Sequence, residues 1–295
     1  MKIKFWGVRG SIPAPGPHTA IHGGNTSCIE VRSDAGELII LDAGTGIFPL
    51  AQSLLKELPV RANIFITHSH WDHIHGLPFF TPFFIPTCSA RIHGAYDVVN
   101  SQGIERIMEV QMQYSYFPIR EAELKARVEY QTLEIGETVE IGDATVTNTL
   151  LNHPVINFGY RVDCNGKSMF FTGDHEPWYN IYDVGEEGYA EYQSLVEEKQ
   201  SHMDEAVRGV DVLIMDCSYT LEEYPSHKGW GHSTFDYAIG LARRTGVKRL
   251  ICTHHEPTRS DCELERVFAE ALARNPRQPG DPEVMLSAEG MELEI

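Results

Sequence analysis

The sequence is predicted to fold as an α/β protein built on mixed β-sheets, on three observations. Short apolar or alternating runs recur from the first residues to the last. Stretches of helical period stand between some of them, but the two kinds do not alternate strictly, as they would around one purely parallel sheet. The chain has 295 residues, 42% of them hydrophobic, which is enough to bury a large core, and α/β architectures of this size are often one domain.

The elements follow in order. Lys2–Trp6 alternates charged and apolar residues, the period-2 mark of a half-buried strand. Ser27–Arg32 and Leu38–Asp42 are short apolar strands, and Ile47–Glu57 has helical period. Asn63–Thr67 and Arg91–His93 continue the strand series, followed by Thr145–Leu151, Gly159–Asp163, Ser168–Thr172, Val212–Asp216, Arg249–Thr253, Glu283–Leu286 and Met291–Ile295. Helices are predicted at Gly188–Val207, Thr234–Thr245 and Asp261–Ala273. Ser233 or Thr234 would cap the second of these, and Ser260 or Asp261 the third. No periodic repeat or low-complexity linker interrupts the chain, so residues 1–295 read as one domain with two insertions. Residues 96 to 127 are polar and expected to be helical, with the aromatic cluster Tyr114-Ser115-Tyr116-Phe117-Pro118. Residues 175 to 206 begin His175-Glu176-Pro177-Trp178-Tyr179 and continue as an acidic helix. Both begin close to candidate site residues or their strands and are placed to serve as lids. Aromatic packing against the scaffold is the other reading of each Tyr and Phe.

Charge narrows the function. The formal net charge is −18 and no basic run exists, which argues against extended nucleic acid as a partner, because that binding needs Lys and Arg against phosphates. No apolar run approaches the roughly 20 residues that span a bilayer. The start of the chain lacks the apolar region of a signal peptide, so no membrane partner and a cytoplasmic location are expected. The six Cys are scattered without a C-x-x-C pair and read as reduced thiols, with Cys252 a core residue of its strand. Nothing here opposes a homodimer.

His68-Ser69-His70-Trp71-Asp72-His73 carries the chemistry. Four metal-binding side chains occupy six positions directly after the apolar run Asn63–Thr67. A strand rises about 3.3 Å per residue and points alternate side chains to one face, so its continuation would bring His68 and His70 out together. The following turn can fold Asp72 and His73 back towards a second point. Imidazoles and carboxylates at this density suit Zn²⁺, Mn²⁺ or Fe rather than the all-oxygen surroundings of Ca²⁺ or Mg²⁺.

His-x-His-x-Asp-His after a strand is the signature of the metallo-β-lactamase superfamily, which this sequence resembles from end to end. The resemblance implies a four-layer αβ/βα sandwich of two mixed sheets, with metals at one edge between them. It also implies the remaining ligands: His153 after Thr145–Leu151, Asp174 after Ser168–Thr172, and His254 after Arg249–Thr253. His68, His70 and His153 would hold one divalent metal, and Asp72, His73 and His254 the other, with Asp174 bridging. Zn is the first choice, and Mn or Fe suits the same geometry. His255 adjoins His254, and a one-residue slip would exchange their roles.

Two such metals about 3.5–4 Å apart can share a hydroxide that attacks the substrate. Two divalent ions less two carboxylates and a hydroxide leave about +1 in the pocket, which favours an anionic substrate. The opening Gly7-Val8-Arg9-Gly10-Ser11-Ile12-Pro13, with Gly23-Gly24-Asn25-Thr26-Ser27-Cys28, is similar to the phosphodiesterase branch that contains RNase Z and the cyclic-phosphate phosphodiesterases. Gly231-His232-Ser233-Thr234 resembles the RNase Z segment whose His donates a proton. His232 is therefore read as general acid and grouped with Asp72 as catalytic; the other reading of His232 is a neighbour of the cap bonding to the helix backbone. Asp216 would orient His232 or a substrate hydroxyl, or serve as a structural carboxylate. Arg9, Lys228 and Arg259 are candidates to pair with a phosphate. Neither insertion has the basic, Gly/Pro-rich composition of the arm with which RNase Z grips tRNA. The expected activity is thus metal-dependent hydrolysis of a small phosphodiester, linear or cyclic. The alternatives are a lactonase or other carboxylic-ester hydrolase and, behind it, a redox protein or a non-catalytic metal sensor. His70 stands where the redox proteins of this superfamily usually carry Glu.

Overall fold

The computed structural model describes residues 1–295. Two seven-stranded sheets pack face to face. The first contains β1 (Lys2–Gly7), β2 (Cys28–Arg32), β3 (Leu38–Leu41), β4 (Arg61–Phe65), β5 (Ser89–Ala95) and β6 (Arg127–Leu133). The second contains β7 (Thr138–Ile141), β8 (Ala144–Leu151), β9 (Asn157–Cys164), β10 (Lys167–Phe171), β11 (Val212–Asp216), β12 (Arg249–Thr253) and β13 (Glu283–Leu286). The last strand, β14 (Glu292–Glu294), crosses back to pair with β1 in the first sheet. The strand orders are β14-β1-β2-β3-β4-β5-β6 and β13-β12-β11-β10-β9-β8-β7. β3 to β6 are mutually parallel, as are β10 to β13, while hairpins join β1 to β3 and β7 to β10.

The period of 2 along each strand builds three cores. Ile29 and Val31, Ile39 and Leu41, and Phe65 face inward from the first sheet and meet Val146, Val162, Val212, Ile214 and Ile251 of the second. The alternate residues Cys28, Leu38, Ile40 and Ile64 face outward under α1 (Ile47–Leu54), the one-turn α2 (Trp71–Ile74) and α3 (Arg106–Gln111). Leu213, Met215, Leu250 and Cys252 face outward under α4 (Tyr189–Val207), α6 (Phe235–Thr245) and α7 (Asp261–Arg274). A short helix, α5 (Tyr224–His227), lies in the loop after β11. Helix, sheet, sheet and helix thus form the four layers expected. No helix is long and apolar enough to cross a membrane.

The predicted caps resolve to Thr234, which accepts the Tyr237 N–H at 3.1 Å, and Ser260, which accepts the Glu263 N–H at 3.3 Å. Three expectations need correction. β6 and β7 were not foreseen: β6 is a polar edge strand whose residues are mostly half-buried and lack clean alternation, and β7, also at an edge, alternates but spans only four residues. The 96–127 segment is helical only over α3 and one 3-10 turn at Glu121–Glu123, and is otherwise irregular. β4 ends at Phe65, so His68 and His70 do not continue a strand. The Ile66 N–H still bonds to the His93 carbonyl, but the Thr67 N–H is taken at 2.8 Å by the Asp42 carboxylate, which ends the ladder.

Candidate metal centre

β4, β8, β10, β11 and β12 all end at one edge of the sandwich, and their following loops carry the candidate residues there. His68, His70, Asp72, His73, His153, Asp174 and His254, from four separate loops, converge. His68, His70, His153 and Asp174 form one group and Asp72, His73, Asp174 and His254 a second, each with its ligand atoms within 4.8 Å of one another.

Asp174 belongs to both groups because its two oxygens divide between them. Oδ1 lies 3.2 Å from His73 Nε2 and 3.1 Å from His254 Nε2. Oδ2 lies 3.5 Å from His68 Nε2 and 3.8 Å from His153 Nε2. Asp72 Oδ2 sits 3.2 Å from His73 Nε2 and 3.1 Å from His254 Nε2 and accepts the Ser11 N–H at 2.8 Å. Burial alone would raise both Asp pKa values, but the surrounding imidazoles hold them well below the carboxylate range. Burial pushes His68 well below the ordinary imidazole value and His153 down to about 4, leaving neutral rings with a lone pair to offer. His68 Nε2, His73 Nε2 and Asp174 Oδ1 are buried and make no hydrogen bond. Such unpaired atoms are costly, and coordination of a divalent cation would satisfy all three. The donor set fits a divalent metal.

The supporting contacts set each ring. His73 Nδ1 is 2.6 Å from Asp42 Oδ2, which turns His73 Nε2 to the cluster. His153 Nδ1 is 3.0 Å from the Gly231 carbonyl, with the same result. Ser218 Oγ lies 3.0 Å from His254 Nδ1. Asp42 and His254 have positive φ, 62° and 58°, a conformation that non-glycine residues rarely hold and that the packed site enforces. Gly10 and Gly231 have no alternative: a Cβ would stand 2.4 Å from the His254 ring and 2.1 Å from His153 Nδ1, respectively.

The neighbouring His255 points elsewhere. It is buried, with Nε2 3.0 Å from the Ser287 carbonyl, so His254 alone of the pair reaches the cluster. His232 reaches it too. Its Nδ1 is 2.9 Å from Asp216 Oδ2 and 3.7 Å from Asp174 Oδ2, and its ring stacks on His254 at 4.9 Å. It does not bond to the helix backbone, a role Thr234 takes. Burial would lower its pKa, but Asp216 and Asp174 outweigh that and raise it to about 9. Two expected phosphate partners are instead structural. Buried Arg9 donates to the carbonyls of Gly23, Glu256 and Arg259, and buried Arg259 to the Ser218 carbonyl and the Glu223 carboxylate. Lys228 is exposed and lies 3.9 Å above the Tyr179 ring.

Sequence reasoning missed Asp42, Ser11 and Glu176. The signal for Asp42 was a carboxylate closing an apolar strand. Glu176 carried none, because its partners are distant backbone groups: the N–H groups of Gly229 at 2.8 Å and Gly231 at 3.0 Å, with the Tyr224 hydroxyl at 2.8 Å.

With this geometry in view, four likenesses bear on the chain. Residues 38–255 match the family described as the Beta-lactamase superfamily domain. The chain is 26% identical to ribonuclease Z of Acaryochloris marina over a gapped alignment of 307 positions, spanning 92% of both proteins. Its fold superposes on human tRNase Z, short form, with a TM-score of 0.61 at 22% identity, covering 100% of this chain and 99% of that one. A diphosphatase from the PhnP family gives 0.64 at 20% identity, covering 100% and 97%.

Proposed function

Because the chain belongs to the beta-lactamase superfamily, we propose that it is a metal-dependent hydrolase of a small phosphodiester, working with two divalent ions, Zn first. His68, His70 and His153 would hold one ion and Asp72, His73 and His254 the other, with Asp174 shared. The observation that carries this reading is the split of Asp174's two oxygens between two imidazole groups, beside an imidazole held separately by a carboxylate. Ribonuclease Z and the PhnP-family diphosphatase act, by their names, on phosphate esters or anhydrides, which supports that substrate class.

When bound, the ions supply an acidified water as nucleophile and offset charge on the phosphoryl oxygens. The protein's own part is positional. Asp216 accepts from His232 Nδ1, so His232 Nε2 is the free nitrogen, and the proton it carries is delivered to the departing alkoxide. Asp72, tied by the Ser11 N–H, keeps one carboxylate edge towards the second group. The net charge of −18 leaves extended nucleic acid a poor partner despite the likeness to ribonucleases.

The test joins metal analysis to turnover assays on bis-p-nitrophenyl phosphate, on a diester with an alkyl or nucleoside leaving group, and on a lactone. His232→Ala should lower turnover of the alkyl or nucleoside ester by roughly 10²–10⁴-fold. It should cost far less with p-nitrophenolate, which leaves without a proton, and metal content should stay at the wild-type value. Equal losses on both esters would give His232 a structural role. A protein that opened lactones and left every phosphodiester intact would overturn the reading.

A further inference from the structure

The metal cluster opens sideways into a cavity of about 810 Å³ whose wall includes His68 and His153. That volume is within the range that holds a small organic ligand. Apolar side chains dominate the wall: Ile104, Ile107 and Val110 on the side of the 96–127 segment, and Ile156 and Trp178 opposite. Trp71, Val98 and Val99 line the cavity as well, yet are 60%, 61% and 81% exposed, a concentration of apolar surface that a ligand would cover. Some polar groups in the wall are engaged within the protein. The Asp97 carboxylate takes the Val99 N–H and the Asn100 side chain, and Arg106 pairs with Glu109. The side chains of Ser69, Tyr96, Asn152 and Lys199 also line the wall and are free to meet a ligand, and Gln111 is only half engaged. It is 7% exposed, its Nε2 donates to the Ile74 carbonyl, and its Oε1 is buried without a partner.

We propose that this cavity binds an apolar ester arm of the substrate, so that the enzyme acts on phosphodiesters of hydrophobic alcohols, alkyl or aromatic. This rests on the phosphodiesterase reading of the metal site. Apolar side chains outnumber polar ones along the wall, which favours an apolar arm over a nucleobase, whose edge needs several polar partners. His232 is not part of the cavity wall, so the arm in the cavity and the group leaving towards His232 are different arms. Water adds to phosphorus, the P–O bond to the leaving alcohol breaks, and that alcohol takes up a proton. The phosphomonoester product keeps the apolar arm.

The products are therefore the probes. Binding of methyl, butyl, octyl and phenyl phosphate, thymidine 5′-monophosphate and inorganic phosphate would be measured by calorimetry on the metal-loaded protein, alongside turnover of bis-p-nitrophenyl phosphate. Affinity should rise roughly three- to fourfold per methylene from methyl to butyl phosphate. Comparison of phenyl with butyl and octyl phosphate tells an aromatic arm from a chain, and a gain over methyl phosphate with either supports the proposal. Thymidine monophosphate should bind no tighter than methyl phosphate. Val98→Asp and Val99→Asp, at exposed positions, should flatten the chain-length dependence. A flat series in the wild-type protein, or tighter binding of thymidine monophosphate than of butyl phosphate, would overturn the proposal. So would a flat series with a dimer that Val99→Asp dissociates, which would give this face to a second copy of the chain. Absence of phosphodiester turnover with the chain-length dependence intact would instead remove the phosphodiesterase reading and leave the apolar site standing.

Discussion

Asp42 shows how one side chain outside the metal-binding motif governs it. Fully buried, it accepts from the Thr67 N–H and hydroxyl and holds His73 Nδ1. Asp42→Asn keeps an acceptor but removes the charge that orients the ring and raises its basicity. Metal affinity should fall roughly 10–100-fold, read by chelator competition, with the melting temperature little changed. An unchanged affinity would confine Asp42 to ending β4. His93 makes a separate test. It is fully buried, stacks on Phe65 at 4.2 Å and has neither ring nitrogen paired. Burial, with Arg91 adding to it, lowers its pKa to about 4. A base with a depressed folded pKa is neutral in the fold, so its contribution is complete above the unfolded value of about 6.5 and is lost as pH falls through the window down to about 4. At pH 5 the loss should be ~2 kcal/mol relative to pH 7.5. His93→Leu should lack that component, as measured by urea midpoints at the two pH values. Equal pH dependence in both proteins would show that His93 is not the group responsible.

The loop from Gly229 to His232 illustrates control by a short segment. Glu176, on the loop after β10, accepts the N–H groups of Gly229 and Gly231, and the Gly231 carbonyl in turn faces His153 Nδ1. One buried carboxylate thereby sets both a candidate ligand and the neighbouring candidate acid. Glu176→Gln leaves only one oxygen to accept and should cost about 1–3 kcal/mol of stability. Turnover of an alkyl-leaving ester should drop several-fold more than that of bis-p-nitrophenyl phosphate, because His232 is displaced along with the loop. A loss of stability with an unchanged ratio between the two esters would make Glu176 a purely structural residue. The segment itself was legible as Gly-His-Ser-Thr ahead of a helix, since glycine, a short cap and helical period are local signals. Its clamp was not, since Glu176 and Gly231 are far apart in the chain. β6 escaped for a related reason: an edge strand with one partner buries too little to leave a period-2 pattern.

For the molecule as a whole, the acidic surface opposes the local chemistry of the metal edge. With a net charge of −18, a small anion meets repulsion before it reaches the site, so raising NaCl from 20 to 200 mM should increase kcat/KM for bis-p-nitrophenyl phosphate by about twofold. A fall with salt would show that the positive pocket dominates approach. A mixed-sheet α/β protein was readable in advance because period-2 strands, period-3.6 helices and their order are properties of neighbouring residues, and the resemblance sharpened this to the four-layer sandwich. The cluster of His68, His70, Asp72 and His73 was readable too, as one local motif; His153, Asp174 and His254 followed by resemblance because each lies just beyond the end of a strand, and His232 because its Gly-His-Ser-Thr segment precedes a helix. The resemblance also favoured His254 over His255, but the commitment of Arg9 and Arg259 to partners within the protein and the apolar cavity beside His68 could not be read that way. They depend on which groups from distant loops meet at one edge, and a buried polar atom takes its role from the partner that packing brings to it.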